Sequence, residues 1–193
     1  MKIIGLTGGI GSGKTTVSRY FEGLNIPVFY ADQEAREVYN DAAIVEQVKK
    51  ILEVEHIHDA EGKLDRALIA GIIFNDASKR DQLNQVIHPG VKDRFTRWIS
   101  QQKAVYCIRE AAILIESGSY RDCDEIIVVT CPIEIRIQRV MERDHITREE
   151  VEKRMQSQMS DEDRITYARF VIENSGTPED LKKQVIQIHH QLL

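Results

Sequence analysis

The sequence predicts an α/β fold: three layers, with a parallel five-stranded sheet between helices, and a helical insertion. Three observations carry this expectation. Ile/Val-rich runs recur without polar alternation, as strands covered on both faces require. Those runs alternate with helical segments, which implies right-handed crossovers between neighbouring strands. A glycine-rich loop stands between the first strand and the first helix. The 193 residues suffice for one such domain with a subdomain inserted.

Taken in order, Lys2–Thr7 is a short β-type run ending in glycines, and residues 15–24 read as a helix. Residues 27–30 form a second strand that stops at Asp32. From there to about Gln102 the pattern is helical and polar, too long for a simple crossover. The division expected is a core of residues 1–31 and 103–193, interrupted by a helical insertion over 32–102. His88-Pro89 marks a helix stop inside it, because the residue before proline is pushed out of the helical region. Sheet character returns at 105–108 and continues through 111–115; Glu125–Thr130 and 169–173 supply the last strands. Thr130-Cys131-Pro132-Ile133-Glu134 and Thr177-Pro178-Glu179-Asp180 each place proline and acid in a first helical turn.

Bulk properties exclude several classes. With 26 basic against 31 acidic residues the net charge is −5, against the basic balance of a nucleic-acid binder. No run approaches the roughly 18 apolar residues of a membrane span, and the apolar start is too short for a signal peptide. Cys107, Cys123 and Cys131 lack C-x-x-C spacing, so neither a disulfide framework nor a zinc site is expected, and the compartment reads as cytoplasmic.

Gly8-Gly9-Ile10-Gly11-Ser12-Gly13-Lys14-Thr15 fits G-x-x-x-x-G-K-[ST] between strand and helix, the signature of the P-loop NTPase/kinase fold. Glycines let amide N–H groups converge on phosphate oxygens, and the helix N-terminus adds its positive end. Lys14 is expected on the β- and γ-phosphates and Thr15 on Mg²⁺. The N-K-x-D guanine signature is absent. Asp32, beyond the second strand, is placed either to accept a hydroxyl proton or to cap the helix near Gln33. Arg109-Glu110 interrupts an apolar strand; Glu110 is a candidate for Mg²⁺ or its waters, with a structural Arg109–Glu110 network as the alternative. Arg136, Arg139 and Arg143 share one helix face, Ile133, Ile137 and Val140 another, with Arg148 and Arg154 following. The stripe is either a solvated face or a phosphate clamp, with Arg143 the foremost candidate. His56, His58, His189 and His190 are assigned no role.

These residues resemble the bacterial dephospho-CoA kinase family over nearly the whole chain. The resemblance lies in Gly5-Leu-Thr-Gly-Gly-Ile-Gly-Ser-Gly-Lys-Thr-Thr16, Tyr30-Ala31-Asp32 with Ala35-Arg36, Leu83-Asn84 through His88-Pro89, Ile113-Leu-Ile-Glu116, Gln138-Arg139 with Arg143-Asp144, Arg154-Met-Gln-Ser-Gln158, and Val171-Ile-Glu-Asn174-Ser-Gly176. It implies ATP-dependent phosphorylation of the ribose 3′-hydroxyl of dephospho-CoA, with Asp32 as base and Lys14 and Arg143 assisting. Gly9, Gly11, Ser12, Gly13, Lys14, Thr15, Thr16, Arg139 and Asn174 would bind ATP, with Asn174 near the adenine. Asp32, Arg36, His88 and Glu116 would bind the acceptor and Thr15 would hold Mg²⁺, with Glu110, by its place at the strand end, the second metal candidate. The insertion would take CoA, residues 143–160 would form a lid, and the protein would be a monomer or weak homo-oligomer. The chain departs from the family where Tyr30 replaces an acid and where Ala112-Ile113-Leu114 follows Glu110. The expectation is that Glu110 restores the carboxylate lost at Tyr30. A P-loop kinase for another acceptor, such as a nucleoside monophosphate, and a non-enzymatic ATP-binding module are the alternatives.

Overall fold

Five strands pair in parallel: β1 (Lys2–Thr7), β2 (Val28–Tyr30), β3 (Tyr106–Glu110), β4 (Glu125–Thr130) and β5 (Phe170–Glu173), in the order β2-β3-β1-β4-β5. The computed structural model describes residues 1–59 and 61–193. Its helices are α1 (Lys14–Gly23), α2 (Ala31–Glu37), α3 (Ala42–Leu52), α4 (Arg66–Asn75), α5 (Ala77–Ile99), α6 (Ile133–Asp144), α7 (Arg148–Gln156), α8 (Asp161–Ile165) and α9 (Pro178–Leu192). The chain divides into two compact units, Met1–Tyr30 with Gln102–Leu193, and Ala31–Gln101. Among the described residues no helix is long and apolar enough to cross a membrane.

The sheet unit forms because its strands are apolar on both faces. Ile4, Leu6, Ile108, Ile127 and Val129 are buried together with Val17 and Phe21 of α1 and Leu181, Val185, Ile188 and Leu192 of α9. The α9 set recurs every three or four residues, the spacing of one helix face. A capping box starts α9: the Thr177 hydroxyl accepts from the Asp180 N–H, and Asp180 accepts from Thr177. Pro178 occupies the first turn, where its missing N–H costs nothing. Tyr106 meets Phe21 edge-on and hydrogen-bonds His189 Nδ1 at 2.7 Å.

Sheet character ends earlier than expected. Ala111 N–H makes the last backbone–backbone bond to β1, with Leu6 O at 3.1 Å, and the chain then coils, Ser117 N–H bonding Ile113 O and Gly118 N–H bonding Ile115 O. Residues 111–115 are therefore a turn, not strand. Leu114 and Ile115 are buried nonetheless, and burial alone gave the run its strand-like reading.

The helical unit repeats one start signal. Asp41, Asp65 and Asp76 cap α3, α4 and α5 by accepting from the N–H of Ala43, Leu68 and Lys79. The expected stop at His88-Pro89 is overturned, since α5 runs through Pro89 without a break. Magnitudes explain why. An interior proline costs about 3 kcal/mol through the lost bond to the Gln85 carbonyl and its ring clash. Leu83, Ile87, Val91 and Phe95 straddle the proline on one buried stripe, each contributing about 1.5–3 kcal/mol. The stripe wins. Gly90, next along, lets Val38 approach so closely that a Cβ there would lie 2.9 Å from it.

Candidate active site

The glycine loop leaves β1 and enters α1 with Gly11 at φ +77° and Gly13 at φ +96°, a region that penalises any side chain. Gly13 occupies the N-cap position and supplies no side-chain acceptor, so the first amides of α1 are left for an anion. Lys14 arches back over the loop, its Nζ 2.9 Å from Gly8 O and 3.5 Å from Gly9 O. Thr15 and Thr16 follow on the exposed side of the helix. Ser12 is buried, and its carbonyl accepts from Asn174 Nδ2 at 2.8 Å. Arg139 reaches Asn174 O at 3.4 Å and Cys131 Sγ at 3.3 Å. Gly13, Thr16, Arg139 and Asn174 thus meet Tyr20 and Leu181 around a cavity of about 320 Å³. Tyr20, Pro178 and Leu181 give the lining apolar surface, and Thr16, Arg139 and Asn174 give it polar groups.

Glu110 is buried at the end of β3, in register with Leu6 on one side and Tyr30 on the other. Burial, then Glu22, then the charge of Glu110 push the Tyr30 hydroxyl up to about 12. Arg109 is buried one residue earlier and comes within 3.7 Å of Asp122.

The helical unit holds the other expected residues. β2 passes into α2 without a loop, which puts Asp32 inside the first helical turn. The N-cap alternative for Asp32 is therefore excluded. Arg36 lies one turn further on and is exposed. His88 is half-buried on α5, which packs against α2.

The arginine face divides. Arg136 is buried with Ile137 and Val140, while Ile133, expected on the apolar face, is 59% exposed. Arg136 takes the inner position because its guanidinium finds acceptors in Ile10 O and Asp161. Arg143 projects outward and grips its neighbour Asp144 through two bonds of 2.7 and 3.0 Å. Arg154 shares that carboxylate at 2.9 Å, and the two arginines hold it below the usual carboxylate range. Glu116 accepts from Arg164 and from the Met159 N–H.

Comparison with known proteins decides the family. The dephospho-CoA kinase family model matches residues 2–180. The chain is 38% identical over 186 residues to the dephospho-CoA kinase of Bacteroides fragilis, spanning 96% of this chain and 90% of that protein. The chain belongs to the dephospho-CoA kinase family. A crystal structure of a Thermus thermophilus protein superposes with a TM-score of 0.88 at 32% identity, covering 100% of this chain and 98% of that one. Dephospho-CoA kinase from Campylobacter jejuni shares the fold, with a TM-score of 0.70 at 24% identity over 100% of this chain and 98% of its own.

The donor set of this dephospho-CoA kinase relative suits a hard divalent cation: a threonine hydroxyl at the helix start and a carboxylate at a neighbouring strand end. Among the described residues no three His, Cys, Asp or Glu cluster to hold a metal by themselves. Sequence reasoning missed Asp161 and Arg164 altogether. Arg164 sits in a polar run that reads as solvated surface, yet it is completely buried. Gln158 appeared only as part of a resemblance, with nothing to show what it touches.

Proposed function

We propose that this protein transfers the γ-phosphoryl group of ATP to the ribose 3′-hydroxyl of dephospho-CoA, giving coenzyme A and ADP. The observation that carries the reading is the uncapped start of α1 under a left-handed glycine loop, in a chain of this family. Gly9, Gly11, Ser12 and Gly13 cradle the phosphates, and Lys14 swings from its carbonyl partners to the β- and γ-oxygens. Thr15 and Glu110 hold Mg²⁺, which when bound neutralises developing phosphate charge. The cavity of Arg139 and Asn174 takes the adenine. Asp32 accepts the hydroxyl proton while the O3′–Pγ bond forms and the bond from Pγ to the β,γ-bridging oxygen breaks. Arg36, His88 and Glu116 bind the acceptor, with the helical unit 32–102 as its CoA-binding part. Residues 143–160 act as the lid, bringing Arg143 to the transferring group. The protein works in the cytoplasm as a monomer or weak homo-oligomer.

The test is a mass-spectrometric endpoint assay with MgATP and dephospho-CoA, beside Asp32→Asn. The acceptor gains one phosphoryl group, and the variant loses at least about 100-fold in rate, the scale of general-base catalysis. An unmodified dephospho-CoA beside a phosphorylated nucleoside monophosphate would overturn the acceptor assignment.

A further inference from the structure

The apex of the phosphate loop is held by Arg136 of α6 and by Gln158, near the end of the 143–160 segment. Ile10 sits there under three separate restraints. Its N–H donates to Gln158 Oε1 at 2.8 Å, and its carbonyl accepts from Arg136 Nε at 2.8 Å. Its side chain packs on Ile137, Val140 and Val151, a small apolar cluster apart from the main core. The fit is close: a Cβ on Gly9 would lie 2.1 Å from Arg136 Nη2, and one on Gly11 would lie 3.0 Å from Val140 Cγ2.

Arg136 is itself held. Its Nη1 donates to Asp161 Oδ2 at 2.9 Å, and Asp161 Oδ1 accepts from Arg164 Nη1 at 2.8 Å. Arg164, fully buried, ends on Glu116 Oε1 at 3.2 Å. Two cations and two anions therefore link the turn after β3 to the apex of the glycine loop. Buried ion networks contribute little stability over an apolar replacement, so stability alone does not account for this one. What it fixes is geometry. The Ile10 N–H is committed to Gln158 and is not presented to phosphate; its fixed position sets the curvature of the loop that leads to the uncapped start of α1.

We propose that Gln158, with the Arg136–Asp161–Arg164 network, is a positioning device that holds the phosphate loop in its anion-binding curvature before nucleotide arrives. This deepens the ATP-kinase reading above and rests on it. A preformed cradle avoids the ordering cost that a slack loop would meet on binding. Removing the acceptor of the Ile10 N–H therefore weakens ATP by about tenfold.

Titration calorimetry with ATP, paired with steady-state kinetics, tests this on wild type, Gln158→Met and Gln158→Glu. Gln158→Met weakens ATP binding about tenfold and raises KM for ATP to match, while KM for dephospho-CoA stays within about twofold. Gln158→Glu keeps an acceptor at the same reach and recovers most of the affinity. Hydrogen exchange at the Ile10 amide accelerates in Gln158→Met alone. Should Gln158→Met not fold by circular dichroism, Asp161→Asn gives the same affinity readout. A folded Gln158→Met variant binding ATP as wild type does, or raising both KM values together, would overturn the positioning role. A wild-type protein that binds no ATP would overturn the nucleotide reading itself.

Discussion

Substituting Gly13 by alanine probes the phosphate loop where it turns into α1. The residue has φ +96°, and an added Cβ would lie 2.1 Å from Asn174 Nδ2 and 3.3 Å from Asn174 Cγ. Two costs follow. A side chain in the left-handed region costs about 1–2 kcal/mol. Making room means displacing Asn174, which is 7% exposed and bonded to Ser12 O at 2.8 Å. A buried polar group left unpaired costs about 1–3 kcal/mol. The sum is a destabilisation of about 2–5 kcal/mol, read as a lowered urea midpoint by circular dichroism. The double variant Gly13→Ala with Asn174→Ala separates the terms. Shortening residue 174 removes the clash, so the pair is less damaging than the sum of the singles by about 1–3 kcal/mol. Strict additivity, or a loss below about 1 kcal/mol for Gly13→Ala alone, would refute the argument.

Two further outcomes are expected. Burial, and next the charge of His190, lower the pKa of His189, whose Nδ1 lies 2.7 Å from the hydroxyl of buried Tyr106. The neutral ring is the folded form, so its contribution is full above the ordinary value of about 6.5 and is lost as pH falls below it. Wild type therefore loses more Tm between pH 7.5 and 5.5 than His189→Gln, which keeps an acceptor; parallel profiles would contradict this. Glu110→Gln keeps the shape of the side chain and leaves Tyr30 one carboxylate fewer. It raises the Mg²⁺ concentration needed for half-maximal rate severalfold with a Tm shift of a few degrees, whereas an unchanged Mg²⁺ titration would show that Glu110 plays no part at the metal.

The sheet and the phosphate loop were legible because their signals are local. Unalternated Ile/Val runs, glycines before Lys14 and the Thr177-Pro178 start each specify their own backbone within a few residues. What failed was decided at longer range. Pro89 reads as a stop on its own dipeptide, but the stripe from Leu83 to Phe95 overrides it. Leu114 and Ile115 look like strand because periodicity cannot tell a buried turn from a buried strand over five residues. Arg136 and Arg164 carry the charge of surface residues; only the fold brings Asp161 and Glu116 to them. The candidate site divides in the same way. The cradle could be read from the sequence, whereas the hold on Ile10 could not, since Gln158 lies 148 positions away.

The strand order has a consequence for the ribosome. β1 and β2 are made first, yet they are not neighbours: β3 lies between them. The 71 residues of Ala31–Gln101 must be synthesised before β3 emerges to join the pair. At about 5–20 residues per second that is a wait of roughly 4–14 s, during which the glycine loop and the start of α1 hang from an unpartnered strand. The unpaired N–H and C=O edges of β1 and its apolar side chains stay open throughout, so the nascent chain is most exposed to misassociation while the helical unit is being made.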